Sequence, residues 1–362
     1  MMAELRSHAM SWAAVLILLA AAAGFKPAAA TPPATGLHGS QRPASTPRRP
    51  PPRLSLPIVC APGETCFIQS HVDLDQGPGA SDYRCGSATY DGHKGVDFRL
   101  RSAAAARQGV AVIAAADGVV KRMRDGMDDA FVTVATRAEV TRRGCGNSVI
   151  IDHGGGWQTI YCHMRKGSLA VRIGEAVRRG QRIGDVGYSG LAAFAHVHLM
   201  VMHHGAVVDP MSGLHVGDAC LATDAIRPPA TLWDGPAAKA FAYRNGEFLG
   251  VGFSARQVGV DELEVDHHVA LPDSSSKSLL FFARLANLRA GDRIGLSVSG
   301  PGGFAVKHAT EPLDRNKATY VAFAGRRLRA ARWPSGTYEG RAEIIRGGEA
   351  VARSAPVRLS LP

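Results

Sequence analysis

The chain has 362 residues, 46% of them hydrophobic and 20% charged, the balance of a globular protein with length for one large or two ordinary cores. A formal net charge of +11 favours polyanionic surroundings. No basic helix or arginine–aromatic stripe accompanies that charge, so no nucleic acid partner is expected and an anionic cell-wall or membrane surface fits better.

Residues 1–30 read as a secretory signal peptide. Arg6 and His8 give a polar start, Ala13 to Ala23 an apolar run, and Ala28-Ala29-Ala30 a small-residue cleavage site. The run is short for a bilayer span, and no other stretch is a candidate. The mature chain is therefore expected in the periplasm or outside the cell, with no transmembrane segment. Residues 31–57 hold eight prolines and read as a Pro-rich linker.

Cys60, Cys66, Cys85, Cys145, Cys162 and Cys220 are an even set, which in an exported chain reads as disulfides. The expected pairs are Cys60–Cys66, Cys85–Cys145 and Cys162–Cys220. A cysteine metal site is disfavoured because no Cys-x-x-Cys occurs.

Residues 58–102 lead in through a short strand at Cys66-Phe67-Ile68 and a loop around Gly77-Pro78-Gly79. In Tyr90-Asp91-Gly92-His93-Lys94-Gly95-Val96-Asp97, the glycines oppose a helix. His93 and Asp97 then share one face of an extended segment. Tyr90 is a candidate transition-state hydrogen-bond donor, with packing as the plainer role. Val110–Ala115 and Gly118–Arg122 flank Ala116-Asp117-Gly118, a hairpin signal. Arg124 to Gly144 reads as an insertion loop rimming a groove. Ser148–His153 and Trp157–Met164 form a second hairpin across Gly154-Gly155-Gly156. Strand alternation puts Tyr161 and His163 on one face and Cys162 behind. Gly184 to Gly190 lacks the Lys-Ser/Thr ending of a phosphate loop and reads as turns. No long helix is expected in 58–217.

His196-Val197-His198 opens an apolar strand, so both imidazoles and then Met200 lean from one face. Together with His93 and Asp97 this offers two nitrogens and one carboxylate, a three-donor zinc set that leaves a fourth position for water. His71, His153, His203, His204 and His215 are assigned to surface or turns.

These motifs, together with Gly146 to Met164, Gly174-Glu175-Ala176-Val177, Gly180 to Gly184 and Gly187-Tyr188-Ser189-Gly190, resemble the lysostaphin-type (LytM-like) zinc metalloendopeptidases, which cut peptides of bacterial peptidoglycan. The likeness covers about residues 58–217. It implies an antiparallel β-sheet metallopeptidase domain of the duplicated hybrid motif type. It also implies Zn2+ on His93, Asp97 and His198, with His163 and His196 as the catalytic pair. Zinc would lower the pKa of its water toward ~7, and imidazoles can move that proton at neutral pH. Met200 stands where the family commonly has an acid, which leaves the orientation of His196 open.

After the peptidase domain at 58–220, residues 221–240 read as a linker. Residues 241–362 carry strand candidates at Leu279–Ala286, Arg293–Ser299, Thr319–Phe323, Thr337–Ile345 and Val357–Leu361. Their regular turns suggest an immunoglobulin-like β-sandwich accessory domain, a binding or positioning module by fold analogy alone. His267-His268 lies in a polar loop. The chain is thus expected to be mainly β. Its expected function is that of an exported zinc metalloendopeptidase hydrolysing peptide cross-links or stem peptides of peptidoglycan. The alternative, a non-catalytic wall-binding activator of another peptidoglycan hydrolase, is disfavoured because all five site residues are present. A carboxypeptidase on the same peptides would use identical chemistry.

Overall fold

The structure is a computed structural model that describes residues 50–222, 231–266 and 268–362. The expected signal peptide, most of the Pro-rich segment, residues 223–230 and His267 lie outside them.

An eight-stranded antiparallel sheet carries the first half. Its strands are β1 (Cys66–Ser70), β2 (Val96–Leu100), β4 (Gly118–Arg124), β5 (Asn147–Gly154), β6 (Trp157–Met164), β7 (Ala176–Val177), β9 (His196–His203) and β10 (Ala206–Val208). The order is β1-β2-β9-β6-β5-β4-β7, with β10 beside β9. A separate two-stranded sheet pairs β3 (Ala111–Ile113) with β8 (Arg182–Asp185). The helices are short: α1 (Ala103–Arg107), α2 (Arg137–Thr141), α3 (Gly235–Ala240) and α4 (Val260–Val265).

Alternation divides the large sheet into two chemically different faces. In register, Val96 stands opposite Leu199 and Phe98 opposite Val197, while Tyr161 stands opposite Leu199 on the other side. All are buried. Behind them Phe98 meets Trp233 and Phe241 edge to face, so this face is the hydrophobic core. The opposite face carries Asp97 against His198 and Arg99 against His196.

The expected hairpin at Ala116-Asp117-Gly118 does not form. β3 pairs with β8, and β4 with β5 and β7. Ala114, Ala115 and Ala116 make a buried corner instead. The amide of Ala114 donates to the Gln181 carbonyl and that of Ala115 to the Tyr161 hydroxyl, so these groups are not available for cross-hairpin pairing. The second hairpin forms as expected, its three glycines all at positive φ.

All six cysteines are bridged, but two of the expected pairs are corrected. The bridges are Cys60–Cys66, Cys85–Cys220 and Cys145–Cys162. Cys145 precedes β5 and Cys162 lies on β6, so the hairpin itself folds them together. Cys220 reaches Cys85 because its neighbour Leu221 donates to the Tyr83 carbonyl.

Beyond residue 241, β11 (Glu247–Ser254), β12 (Ser278–Leu288) and β15 (Lys317–Arg327) form one sheet. β14 (Phe304–Ala309), β13 (Arg293–Gly300), β16 (Gly336–Arg346), β17 (Glu349–Arg353) and β18 (Val357–Leu361) form another. Phe253, Phe281, Leu285 and Ala324 from the first share a core with Ile294, Leu296, Tyr338 and Ile344 from the second. The five expected strands are present. β11, β14 and β17 lie outside the five expected segments: β11 is interrupted by Gly250 and Gly252, and β14 and β17 are mostly solvent-facing.

Both segments read as linkers contribute core residues. Leu54 bridges Trp233, and Leu54, Leu232, Trp233, Ala237 and Phe241 belong to the core behind the first sheet. Asp234 caps α3, accepting from the Ala237 amide at 2.9 Å. No helix among the described residues is long and apolar enough to cross a membrane.

Candidate metal and acid–base site

His93 lies just before β2, Asp97 on it, and His198 opposite Asp97 on β9. Their donor atoms converge. His198 Nδ1 is 2.8 Å from Asp97 Oδ1, and His93 Nε2 is 3.1 Å from both Asp97 Oδ1 and His198 Nδ1. His93 Nδ1 lies 2.6 Å from the His71 carbonyl. As donor there, it leaves the Nε2 of the neutral ring with its lone pair aimed at the other two atoms. Three electron-pair donors, one anionic, thus face one point with almost no access to water, an arrangement that a divalent cation satisfies. Gly95 leaves room for the His198 ring: a Cβ there would stand 2.5 Å from His198 Nε2 and 2.6 Å from the Leu199 carbonyl.

His196 and His163 complete the cluster. His196 Nε2 is 3.5 Å from Asp97 Oδ1, and its Nδ1 meets the Phe194 carbonyl at 2.8 Å. That bond orients the ring without an acid at Met200. The His163 ring lies 4.5 Å from His196 and 6.0 Å from His198. Its Nδ1 meets the Ser189 carbonyl at 2.8 Å. Each of these two histidines, donating from Nδ1, keeps a lone pair at Nε2.

His163 reaches this position by a route that simple alternation does not describe. Tyr161 faces the core, its hydroxyl accepting from the Ala115 amide at 2.8 Å. Cys162 stands opposite His198 and so shares the site face. His163 does not continue the alternation: its backbone is left-handed, at φ 60°, and the β5–β6 register shifts beside it. The expectation that Tyr161 and His163 share a face is corrected accordingly. The His163 amide donates to the Cys145 carbonyl at 2.9 Å, so the turn lies against the Cys145–Cys162 bridge. Left-handed backbone is uncommon without glycine and persists where surrounding contacts hold it.

The electrostatics follow from burial. Burial, reinforced by His196 and His198, lowers the His163 pKa well below the ordinary imidazole value. Burial also lowers those of His196 and His198. For Asp97 burial opposes ionisation, but His93 and His196 overcome it and hold the carboxyl well below its usual range. For His93 burial disfavours the cation, yet Asp97 outweighs it and raises the pKa. The cluster therefore holds a carboxylate among imidazoles, and burial disfavours the cationic form of His163, His196 and His198.

Tyr90 stacks on His93 at 4.5 Å between ring centroids and is 57% exposed, placing it on the rim. Beside His93 opens a cavity of about 250 Å³, lined by Asp73, Gly92, Lys94, Val207 and His215 among others. The Arg124–Gly144 loop is pinned by Asp129, which accepts from the amides of Tyr188 at 2.7 Å and Lys166 at 3.0 Å.

Two histidines assigned to surface or turns are in fact buried. His153 sits between the Asp117 carbonyl and the Thr159 hydroxyl. His71 supplies the carbonyl that holds His93, and burial pushes its own imidazole down to about 4. His203 stacks on Trp157, His204 is in a turn at positive φ, and His215 is half-exposed near Asp218. His71, Ser189 and Phe194 all act through backbone carbonyls, which leave no side-chain signature.

Residues 91–210 match the model of peptidase family M23. A relative called an uncharacterized metalloprotease, from Haemophilus influenzae, is 36% identical over 120 residues, covering 33% of this chain and 20% of that one. The Neisseria meningitidis protein named DD-carboxypeptidase/endopeptidase Mpg is 34% identical over 120 residues, covering 33% and 22%. The Vibrio cholerae peptidoglycan DD-endopeptidase ShyA is 32% identical over 119 residues, with the same shares. The chain spans about a fifth of the length of these relatives. Over residues 91–210, then, this chain carries a peptidase family M23 domain.

Proposed function

We propose that this chain is an exported zinc metalloendopeptidase that hydrolyses peptides of bacterial peptidoglycan. The observation that carries the reading is the convergence of His93, Asp97 and His198 beside two neutral histidines whose lone pairs are free. His93, Asp97 and His198 would hold zinc. When bound, zinc supplies a Lewis acid that polarises a carbonyl and makes water acidic near neutral pH. His163 and His196, each fixed at Nδ1 by a backbone carbonyl, offer Nε2 to take a proton from the attacking water and return it to the leaving amine. The cavity beside His93 would seat the peptide, with Tyr90 as a hydrogen-bond donor at its rim. Peptidoglycan as substrate is supported by the names of relatives matched over this same segment. Export is supported by the character of residues 1–30 and by the full set of disulfides. The non-catalytic activator reading has no comparable observation behind it.

The test is digestion of purified peptidoglycan by the mature protein, with mass analysis of the released peptides, before and after chelation. Metal-dependent cleavage of cross-links is expected. Release of terminal residues alone would make it a carboxypeptidase. No release on any cross-link chemistry, with stimulation of a partner hydrolase, would replace the enzyme by the activator. His93→Ala and His198→Ala should lose zinc. His163→Ala should keep zinc and lose about 10²-fold or more in turnover, the usual share of general acid–base catalysis.

A further inference from the structure

The supports of this site extend beyond the sheet that carries it. Phe194, whose carbonyl holds His196 Nδ1, also places its ring 4.5 Å from the His196 ring. The Arg99 guanidinium lies over the Phe194 ring, 4.6 Å from its centroid. Arg99 is on β2, directly opposite His196, and is fully buried. A buried guanidinium needs a compensating anion. Arg99 finds it about 165 residues later, where the Glu264 carboxylate of α4 accepts two bonds from Arg99 Nη2, at 2.7 and 2.8 Å. Arg284 of β12 pairs with the same carboxylate and donates to the Arg101 and Leu263 carbonyls. Gln69 also accepts from Arg99 and donates to the Ala318 carbonyl on β15.

A second line of contact reaches the other flank. Tyr243 stacks on His71 and donates to Asp82 at 2.7 Å, and the His71 carbonyl holds His93 Nδ1. Residues beyond 240 thus brace both His93 and His196.

We propose that the C-terminal β-sandwich is a working part of the peptidase centre. Glu264, acting through Arg99 and Phe194, fixes the imidazole of His196. Arg99, Phe194 and Glu264 are then positioning residues for the proton transfers. This rests on the proposed peptidase function. It differs from a wall-attachment role for residues 241–362, because attachment needs no buried charge running to an active-site ring. The physical basis is that Phe194 lies in a loop between Gly190 and β9. Its carbonyl direction is set by the ring, and the ring by the cation above it. Without that cation the Nδ1–H bond loses its fixed direction, and Nε2 its aim.

The experiment uses the full mature chain. Glu264→Gln keeps the shape but removes the charge. Phe194→Leu leaves the ion pairs intact, so its fold is secured by the same network as wild type. On a soluble cross-linked peptide dimer released from peptidoglycan, both variants are expected to lose about tenfold or more in kcat, within the range that acid–base catalysis supplies. KM should stay within about threefold and zinc at wild-type stoichiometry. The double variant should lose no more than the worse single one, because both changes break one chain of contacts. Arg99→Lys, which keeps a cation over the ring, should recover part of the rate lost in Arg99→Met. Unchanged kcat in folded Glu264→Gln, or additive losses, would overturn the proposal. A second readout does not need turnover. In 15N-histidine-labelled protein the Nδ1–H signal of His196 should be sharp in wild type and broadened in both single variants. If wild type cleaves nothing, that signal still decides: a sharp signal in Glu264→Gln rejects the positioning chain, whereas its loss upholds the chain and leaves only the peptidase reading to fail.

Discussion

Gly95 shows how one missing side chain shapes the site. Any Cβ would press on both the His198 ring and the Leu199 carbonyl, and the latter is backbone that cannot swing away. Gly95→Ala is therefore expected to reduce bound zinc below wild type, measured as metal per chain after dialysis, while the disulfides still form. Asp209 makes a different point. It is fully buried, its Oδ1 has no hydrogen-bond partner among the described residues, and burial raises its carboxyl pKa to about 7. The fold therefore keeps a proton that the unfolded chain gives up near pH 4. That costs nothing at or below pH 4, and stability is lost as the pH rises from there to about 7. The loss amounts to at most about 4 kcal/mol. Asp209→Asn should accordingly raise the Tm more at pH 8 than at pH 5. An equal shift at both would show that the carboxyl stays ionised in the fold.

At the scale of elements, the β5–β6 hairpin delivers His163 by breaking strand geometry at its end. The Cys145–Cys162 bridge, closing a separation of 17 residues, and the His163 amide bond to Cys145 hold that break. Replacing both cysteines by serine should cost roughly 3 kcal/mol in thermal or denaturant unfolding, the value for a loop of this length. It should also lower turnover with zinc retained, since His163 loses its lateral support. Equal activity would show that the bridge serves stability alone. The hairpin was legible from its three glycines and flanking apolar runs. The left-handed step at His163 was not, because it depends on a register shift against β5 that has no residue-type marker. The hairpin expected at Ala116-Asp117-Gly118 failed for a related reason. Its local turn signal was sound, but the amides of Ala114 and Ala115 bond to Gln181 and Tyr161, far along the chain.

Over the whole molecule, the described residues belong to one compact unit, although its apolar side chains form separate cores. The buried Arg99–Glu264–Arg284 group joins β2 to α4 and β12 and leaves each part dependent on the other for charge compensation. Thermal unfolding of the mature chain, followed by near-ultraviolet circular dichroism and by differential calorimetry, should show a single transition with coincident midpoints. Two resolved transitions would mean that the sandwich folds independently of the peptidase sheet.

Residue type and local spacing were enough to single out His93, Asp97, His196 and His198 as one donor cluster, the mainly β character, and five strands of the C-terminal sheets, whereas His163 joined that cluster only through the family resemblance. These are properties of side-chain chemistry and of a two-residue period, both written directly in the chain. The tertiary structure alone decided which cysteines pair, which carbonyls hold the imidazoles, and where Arg99 finds its anion. Each of those depends on contacts between segments up to about 165 positions apart, with backbone oxygens as partners that every residue carries. A buried arginine and a surface arginine look alike in a sequence, and only the packed fold removed water from Arg99 and required Glu264 beside it.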